Sequence, residues 1–324
     1  MTSRLRSLLG PSLVVAGASM WGLETYWRVP LGKKLDADVL VFHEHWMGLA
    51  LTLPFLLAGA RALRAVSRKA IASMVGSAVL GSALGTVCFT QALSLLNASL
   101  ANLLLNVQPV VSVLVSWAWL RERPRALFFP WAAVALGCGV TMAWSPDALA
   151  PGGGSPSAGG LAYLALTAVC WGASTTFGRA AMLEIDFKTG TALRYAIGTL
   201  ATFVIAALHG DLGARLRWGV ALSPDTLQQM AGLLGLAAIT PTFLYFAGLA
   251  RTQASVATFA EMAQTFASLI VTWGVMGQPL HGKQVVAGIV LLVAVAYIHR
   301  SMGPPLTLPR PAPTVPDPKR SQAP

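Results

Sequence analysis

Ten apolar stretches of 15 to 25 residues constrain the fold of this chain more than any other feature of its sequence. A membrane-spanning helix needs roughly 20 mostly apolar residues, so the stretches indicate repeated crossing of a bilayer. We therefore predict an all-α integral membrane protein with ten transmembrane helices. The stretches are Leu8–Trp27, Asp38–Ala60, Ile71–Leu95, Ala98–Leu120, Leu127–Trp144, Gly159–Ala180, Thr189–Leu208, Leu227–Leu249, Ala254–Met276 and Val285–His299.

The low content of charged residues excludes a soluble fold. Only 11% of the residues are charged, against about 25% in ordinary globular proteins, so a soluble surface of this size could not be covered. Disorder is excluded because 55% of the residues are hydrophobic. Cys88, Cys138 and Cys170 lie inside apolar stretches without a CxxC pair, so we expect buried thiols and neither a disulfide framework nor a zinc site.

The net charge of +11 is explained by membrane topology. When the ten stretches alternate across a bilayer, sixteen of the 23 lysines and arginines lie on the side of the termini. Six, including Arg28, lie on the other side, and Arg194 lies within a span. The positive-inside rule then predicts both termini in the cytoplasm and a multi-pass protein of the cytoplasmic (inner) membrane. Nucleic acid binding is excluded, because no basic cluster with base-reading or stacking groups is present.

The chain contains an internal repeat. Trp21-Gly22 recurs after 150 residues as Trp171-Gly172, and Gln108 recurs after 156 residues as Gln264. Each half holds five apolar stretches, and an odd number makes the second half enter the membrane from the opposite face. Two inverted five-helix repeats are therefore predicted, an architecture typical of secondary transporters.

The predicted domain limits follow from the repeat and from composition. The first repeat covers residues 8–145 and the second covers 159–300, with a glycine- and serine-rich linker between them. Residues 301–324 are rich in proline and poor in apolar residues, so they are predicted to form a disordered cytoplasmic tail.

Motifs in both halves resemble those of a known transporter family. They are Trp21-Gly22 and Trp171-Gly172 in the first stretch of each half, Ala98-Ser99 and Ala254-Ser255 at the start of the fourth, and Pro109 and Glu122 in the first half. With ten spans and a duplication, residues 8–300 are similar to the EamA group of the drug/metabolite transporter superfamily. The second half departs from the pattern at Thr265 and Gln278, so Glu122 is assigned no role. The resemblance implies alternating-access transport of small metabolites, often efflux, through a central cavity.

Polar and aromatic residues within the stretches are candidates for the lining of such a cavity. In a bilayer a polar helix face must contact protein or water. Asn102, Asn106 and Glu261 lie on such faces, and we expect them to line a cavity. Ser and Thr on the same faces are equally well explained by helix packing. Trp21, Trp171, Phe89 and Tyr245 could stack on a planar substrate or pack in the core.

Four ionisable residues lie within the apolar stretches, namely Glu24, Glu44, Arg194 and Glu261. Inserting a charged side chain at mid-membrane costs roughly 2.5–3.5 kcal/mol, so each of the four residues is expected to have a charged or hydrogen-bonding partner. Predicted depth separates Glu44 from Arg194 by about 12–14 Å along the membrane normal, at about 1.5 Å per residue. We predict instead an Arg194–Glu261 pair in the cytoplasmic half, with Glu24 and Glu44 in the outer half near Arg28. A purely structural bridge from Glu24 to Arg28, four residues later, would explain Glu24 equally well. Protonation of Glu44 or Glu261 could couple transport to a proton gradient.

The sequence thus predicts a secondary transporter of amino acids, amines or drug-like compounds, most simply an exporter. A channel or facilitator remains an alternative. An intramembrane enzyme is less consistent, because His43-Glu44-His45 lacks the HExxH spacing and the Gly277–Gln284 segment lacks the Ser or Thr of a phosphate loop. No catalytic residue, cofactor or metal is expected. The expected partners are a small-molecule substrate, the lipid bilayer and protons, with the protein as a monomer or homodimer.

Overall fold

A computed structural model describes residues 3–121, 123–143, 157–252, 257, 260–278, 280 and 282–300. The motif residues Glu122 and Ala254-Ser255, most of the linker and the tail at 301–324 lie outside the described residues. The regular elements within the described ranges are helices. They are α1 Ser3–Trp21, α2 Glu24–Gly32, α3 Ala37–Leu63, α4 Arg68–Ser77, α5 Gly85–Leu95, α6 Ala98–Leu104, α7 Gln108–Leu120, α8 Phe128–Ala143, α9 Ala158–Ala181, α10 Phe187–Leu208, α11 Leu212–Arg215, α12 Trp218–Ala221, α13 Pro224–Gly232, α14 Thr240–Leu249, α15 Met262–Leu269 and α16 Gly282–Arg300.

Six of the described helical stretches are long and apolar enough to cross a membrane. They are Ala37–Leu63, Arg68–Leu95, Ala98–Trp119, Ala158–Ala181, Phe187–Leu208 and Pro224–Leu249. Shorter apolar helices cover Phe128–Thr141, Met262–Val275 and Gly282–Ala294. The predicted all-helical architecture with several membrane-length helices is therefore confirmed, whereas the number of ten spans and their inverted arrangement stay predictions.

Large aliphatic side chains on the outside of the bundle indicate which surface faces lipid. Leu57, Leu200, Leu208 and Ile270 are 66–81% exposed. Exposed apolar surface on this scale is unfavourable in water, and it is the expected surface of a helix in hydrocarbon. The polar residues are instead concentrated between the helices.

Side-chain caps fix where several helices begin. Asn97 accepts hydrogen bonds from the Ser99 and Leu100 amides at the start of α6, and Asp186 accepts from two amides at the start of α10. Such caps satisfy backbone donors that have no partner within the helix. Ser67 caps α4 and also donates from its amide and hydroxyl to Glu184, at 2.8 and 2.7 Å. These two bonds lower the pKa of Glu184 below its ordinary value.

Three π-helical segments interrupt the α-helices, at Ala78–Leu84, Leu233–Ile239 and Ile270–Val275. The first joins α4 to α5 and the second joins α13 to α14. In a π-helix the backbone hydrogen bond reaches one residue further, which frees carbonyl groups and is common at functional sites. Here the Gly81 carbonyl accepts from the Thr86 hydroxyl at 3.0 Å and from the Trp171 indole at 2.9 Å.

Helices from the two halves of the chain pack against each other in matching pairs. Helix α1 packs on α14 and α15, and α9 packs on α5 and α7. Helix α3 packs along α10, and α8 packs along α16. Exchanging the two halves of the chain converts the contacts of α1 into those of α9, and it leaves the pairs α3–α10 and α8–α16 unchanged.

The glycines of the two Trp-Gly motifs allow helices of the two halves to approach closely. A Cβ atom added at Gly22 would lie 2.6 Å from the Gln264 carbonyl oxygen and 2.8 Å from the Ser268 nitrogen. A Cβ atom added at Gly172 would lie 2.9 Å from the Gln108 carbonyl oxygen. Backbone atoms of α1 and α9 therefore touch the backbone of the helix from the other half, which requires glycine at both positions.

Replacing either glycine with alanine should destabilise the fold. We expect Gly22→Ala and Gly172→Ala each to cost about 1–3 kcal/mol, because backbone must move to admit the new carbon atom. The measurement is thermal melting of the detergent-purified protein. Gly137→Ala is the matched control, because a Cβ there meets nothing within 4 Å and alanine favours the helix by about 0.5–1 kcal/mol. Unchanged melting of both test variants would contradict the packing argument.

Candidate functional site

A cavity between the two halves collects most of the residues singled out from the sequence. Its open space is about 710 Å³, counted together with its mouth. Its wall is formed by the first two π-helical segments and by helices α1, α2, α3, α4, α5, α7, α9, α10, α14 and α15. The sequence-predicted residues in its lining are Trp21, Glu24, Glu44, Trp171, Arg194, Tyr245 and Glu261.

One arginine contacts two buried carboxylates at one end of this lining. Nη2 of Arg28 lies 2.9 Å from Oε2 of Glu24 and 3.0 Å from Oε2 of Glu44. Nη1 of Arg28 donates to the Thr90 hydroxyl at 3.1 Å. The predicted Glu24–Arg28 bridge is present. The placement of Arg28 with the loop charges was wrong, because its side chain is 1% exposed and closes on Glu44 as well.

Glu261 is held by neutral donors. Its Oε1 accepts from the Tyr245 hydroxyl at 2.6 Å and from the Thr175 hydroxyl at 3.3 Å. Its Oε2 accepts from the Gln108 side-chain amide at 3.0 Å. Hydrogen bonds donated to a carboxylate stabilise its anionic form without neutralising the charge. No described arginine or lysine forms an ion pair with Glu261.

Arg194 lies in the same cavity without a carboxylate partner. Within the described part of the chain, no carboxylate oxygen lies within 4.0 Å of its guanidinium nitrogens, which is the distance limit for an ion pair. The predicted Arg194–Glu261 ion pair is therefore wrong, because Tyr245, Thr175 and Gln108 occupy Glu261 instead. The guanidinium lies over the Phe246 ring at 5.7 Å and passes beside Gly81, where a Cβ atom would lie 3.3 Å from Nη1.

Two aromatic pairs border the cavity. The Trp21 and Tyr245 ring centroids lie 4.7 Å apart, and those of Trp171 and Phe89 lie 5.0 Å apart. Each pair joins the first apolar stretch of one half to the third apolar stretch of the other. The pairs differ in polarity, since Tyr245 carries the hydroxyl that reaches Glu261 and Phe89 carries none.

Asn102 and Asn106 lie beside a second, smaller hollow, which shares Gln108, Glu261 and Gln264 with the main cavity. Asn102 donates to the Thr25 hydroxyl at 3.2 Å and to the Ala98 carbonyl at 2.8 Å. Asn106 donates to the Leu103 carbonyl at 2.9 Å and accepts from Thr265 at 2.9 Å. Both amides thus join helices in this structure, and a role in lining a substrate path stays a prediction.

The two histidines beside Glu44 point to different partners. Nε2 of His43 contacts the Leu216 carbonyl at 2.7 Å, and Nδ1 of His43 accepts from the Trp46 indole at 2.8 Å. His43 is therefore the neutral tautomer that donates from Nε2. Nδ1 of His45 donates to the Val41 carbonyl at 2.7 Å. Among the described residues, no group of three His, Cys, Asp or Glu side chains could hold a metal ion.

The cavity also uses residues that the sequence analysis did not select. Thr175 and Gln108 hold Glu261, and Arg28 holds Glu44. Gln108 could have been found, because it is one of the residues that repeat between the halves. Arg28 was indicated only through its spacing of four residues from Glu24, and Thr175 carried no signal, since its role depends on which helices meet.

The fold and the cavity are those of a helical membrane protein, and comparison with known proteins gives its family. The EamA-like transporter family matches residues 8–144 and 158–300, so the chain belongs to that family. The chain is 25% identical over 303 residues to the riboflavin transporter ImpX of Fusobacterium nucleatum subsp. nucleatum, covering 90% of this chain and 97% of that protein. A solved crystal structure matches the fold with a TM-score of 0.58 at 16% identity, covering 91% of this chain and 96% of the other.

Family membership confirms several sequence predictions in their general form. The chain is a multi-pass membrane protein and a transporter of small metabolites, and its family is one of transporters rather than enzymes. The predicted resemblance to the EamA group is likewise confirmed.

Proposed function

We propose that the chain is a secondary transporter that carries a small metabolite through the central cavity by alternating access. The observation that carries this proposal is the cavity itself, in which charged residues from both halves meet between apolar helices. Charges within a membrane are costly and commonly mark substrate or ion pathways. Substrate sites of secondary transporters lie where two repeats meet, as this cavity does.

Two inverted five-helix repeats, at 8–145 and 159–300, and ten spans complete the proposed architecture. The support comes from contacts that repeat at the sequence offsets. Trp21 and Trp171 differ by 150 residues, and their ring partners Tyr245 and Phe89 differ by 156. The glycine after each tryptophan packs on backbone of the fourth stretch in the other half. An approximate two-fold axis in the membrane plane would generate both sets of contacts.

Arg194 and Glu261 are the proposed polar contacts of the substrate. Arg194 has unused donors, since its guanidinium forms no ion pair with a described carboxylate. Glu261 offers acceptor oxygens in the same cavity. Trp21 and Trp171 would contact the faces of a flat ring, and Asn102 and Asn106 would line the adjoining hollow. This combination suits a planar molecule with both hydrogen-bond donors and acceptors.

Riboflavin is the first substrate to test, because the Fusobacterium relative is named as its transporter. A flat ring system with carbonyl and N–H groups along its edge matches the donors, acceptors and tryptophans of the cavity. Amino acids, amines and drug-like compounds form the second set of candidates.

The proposed topology follows from the charge distribution. The protein lies in the cytoplasmic membrane with both termini in the cytoplasm. Transport is directed out of the cell. Protons supply the driving force, through a carboxylate of the cavity. Both halves come from one chain, so a monomer is sufficient, and a homodimer is equally compatible.

Purified protein in proteoliposomes should catalyse riboflavin counterflow. Vesicles loaded with unlabelled riboflavin should transiently accumulate labelled riboflavin from outside, with an initial rate that saturates with concentration. The physical reason is that an alternating-access carrier returns loaded more readily than empty. Protein-free vesicles and a Trp171→Ala variant provide the controls, the latter lacking one proposed stacking face.

Two outcomes would contradict this function. Riboflavin flux that does not saturate and shows no counterflow would indicate a channel. Absence of counterflow with riboflavin and with the amino acid and amine panel, from protein that melts normally, would remove the proposal of a metabolite carrier. Direction is tested separately by comparing accumulation in cells with and without the protein.

A further inference from the structure

We propose that Glu24, Arg28 and Glu44 form a proton-binding site that is distinct from the substrate contacts at Arg194 and Glu261. The inference deepens the proposed function, because a coupling role for the site rests on transport. The binding of a proton does not depend on transport, and it can be measured without any substrate.

The geometry places two acidic groups on one guanidinium nitrogen. Oε2 of Glu24 lies 2.9 Å from Nη2 of Arg28, and Oε2 of Glu44 lies 3.0 Å from the same nitrogen. The two carboxylate oxygens are therefore at most about 6 Å apart. The three residues are 6%, 1% and 5% exposed. With both carboxylates ionised, this buried group carries one uncompensated negative charge. Like charges this close in a poorly solvated interior favour uptake of one proton.

Hydrogen bonding at the site is incomplete. Glu24 accepts a well-oriented hydrogen bond from Arg28 Nη2, whereas Glu44 Oε2 contacts the same nitrogen at 3.0 Å as an ion pair without the alignment of a hydrogen bond. Nε of Arg28 is also buried without a partner, and Nη1 is committed to Thr90. Buried acceptors without donors are rare in folded proteins. A proton on the carboxyl pair would supply the missing donor and remove the surplus charge together.

The other ionisable groups near Glu44 do not cancel this charge. His45 adjoins it on α3, and Arg194 and Tyr195 face it from α10. His45 donates from Nδ1 to a backbone carbonyl, and Arg194 forms no ion pair with Glu44. The packed segment Leu233–Ile239 is apolar. The surplus negative charge is therefore local to Glu24, Arg28 and Glu44, because no other described residue forms an ion pair with either carboxylate.

Glu261 is the less suitable proton carrier of the three. Its two oxygens already accept hydrogen bonds from Tyr245, Thr175 and Gln108, and all three bonds favour the carboxylate. We therefore assign the exchangeable proton to the pair on Arg28, shared as one macroscopic site rather than fixed on one residue.

Infrared difference spectroscopy of the purified protein in detergent tests the assignment directly. A protonated carboxyl group has a C=O band that shifts in heavy water, and we expect this band in the wild type near neutral pH. Glu24→Gln and Glu44→Gln should each abolish it, because the remaining carboxylate is balanced by Arg28. Glu261→Gln should retain it. Thermal melting of each variant verifies that the protein is folded.

The assignment is overturned if the band persists in both Glu24→Gln and Glu44→Gln, or if Glu261→Gln alone removes it. Replacement of potassium by sodium should leave the band unchanged. Loss of the band in sodium would make this a sodium site and would equally overturn the proposal. Riboflavin counterflow is measured on the same preparations, so a protein that binds the proton without transporting riboflavin separates the two proposals.

Discussion

Replacing Arg28 with methionine should destabilise the protein more than any other single change in the cavity. Methionine keeps much of the side-chain volume but leaves Glu24 and Glu44 buried without a positive partner. Removing one partner of a buried ion pair costs about 3–5 kcal/mol, because the remaining charge stays desolvated. The expected result is a large fall in melting temperature and in the yield of monodisperse protein from detergent.

A charge-neutral background provides the decisive control for Arg28. In the triple variant Arg28→Met, Glu24→Gln and Glu44→Gln, no buried charge is left unpaired, and most of the lost stability should return. Failure of this rescue would show that Arg28 stabilises through its packing and its bond to Thr90 rather than through charge. A stable Arg28→Met single variant would contradict the buried triad altogether.

The same substitution at Arg194 should have the opposite consequences. Arg194 pairs with no described carboxylate, so Arg194→Met should change the melting temperature much less than Arg28→Met. Transport should suffer instead, because hydrogen bonds from a charged group contribute about 1.5–3 kcal/mol. That energy corresponds to riboflavin affinity weaker by about 10- to 100-fold. The measurement is the concentration dependence of counterflow.

Arg194→Lys separates charge from geometry in this prediction. Lysine keeps the positive charge but lacks the planar fork of donors, so partial recovery of affinity would indicate a role for charge alone. Wild-type counterflow in Arg194→Met would remove Arg194 from the substrate site. The contrast between the two arginines is informative, since both are in the cavity and only their partners differ.

Much of the general design was predictable from the sequence for simple physical reasons. A bilayer requires long apolar helices, and a helix of that kind is visible as an uninterrupted apolar stretch. The Trp-Gly motifs and the repeated glutamine indicated duplication, because equivalent contacts require equivalent residues. Ionisable residues in apolar stretches are expensive, so Glu24, Glu44, Arg194 and Glu261 stood out without any structure.

Pairing among these charges was only partly predictable: the bridge from Glu24 to Arg28 is present, whereas the expected Arg194–Glu261 pair is not. Depth estimates along single helices placed Arg194 with Glu261, and placed Arg28 near Glu24 and Glu44 in the other half of the membrane. The structure pairs Arg28 with Glu44 and surrounds Glu261 with Tyr245, Thr175 and Gln108. Thr175 and Gln108 come from helices distant in sequence from Glu261, and Arg28 lies within α2, a short helix that the hydropathy pattern did not separate from its neighbours.

The sequence by itself determined that this chain is a helical membrane protein built from two related halves, because both properties are written in local patterns of apolar and repeated residues. Only the tertiary structure decided which charges meet. An ion pair depends on contacts of about 3 Å between helices, and neither hydropathy nor repeat spacing specifies distances on that scale. Whether an arginine is paired with a carboxylate, as Arg28 is, or unpaired, as Arg194 is, can therefore be read only from the folded structure.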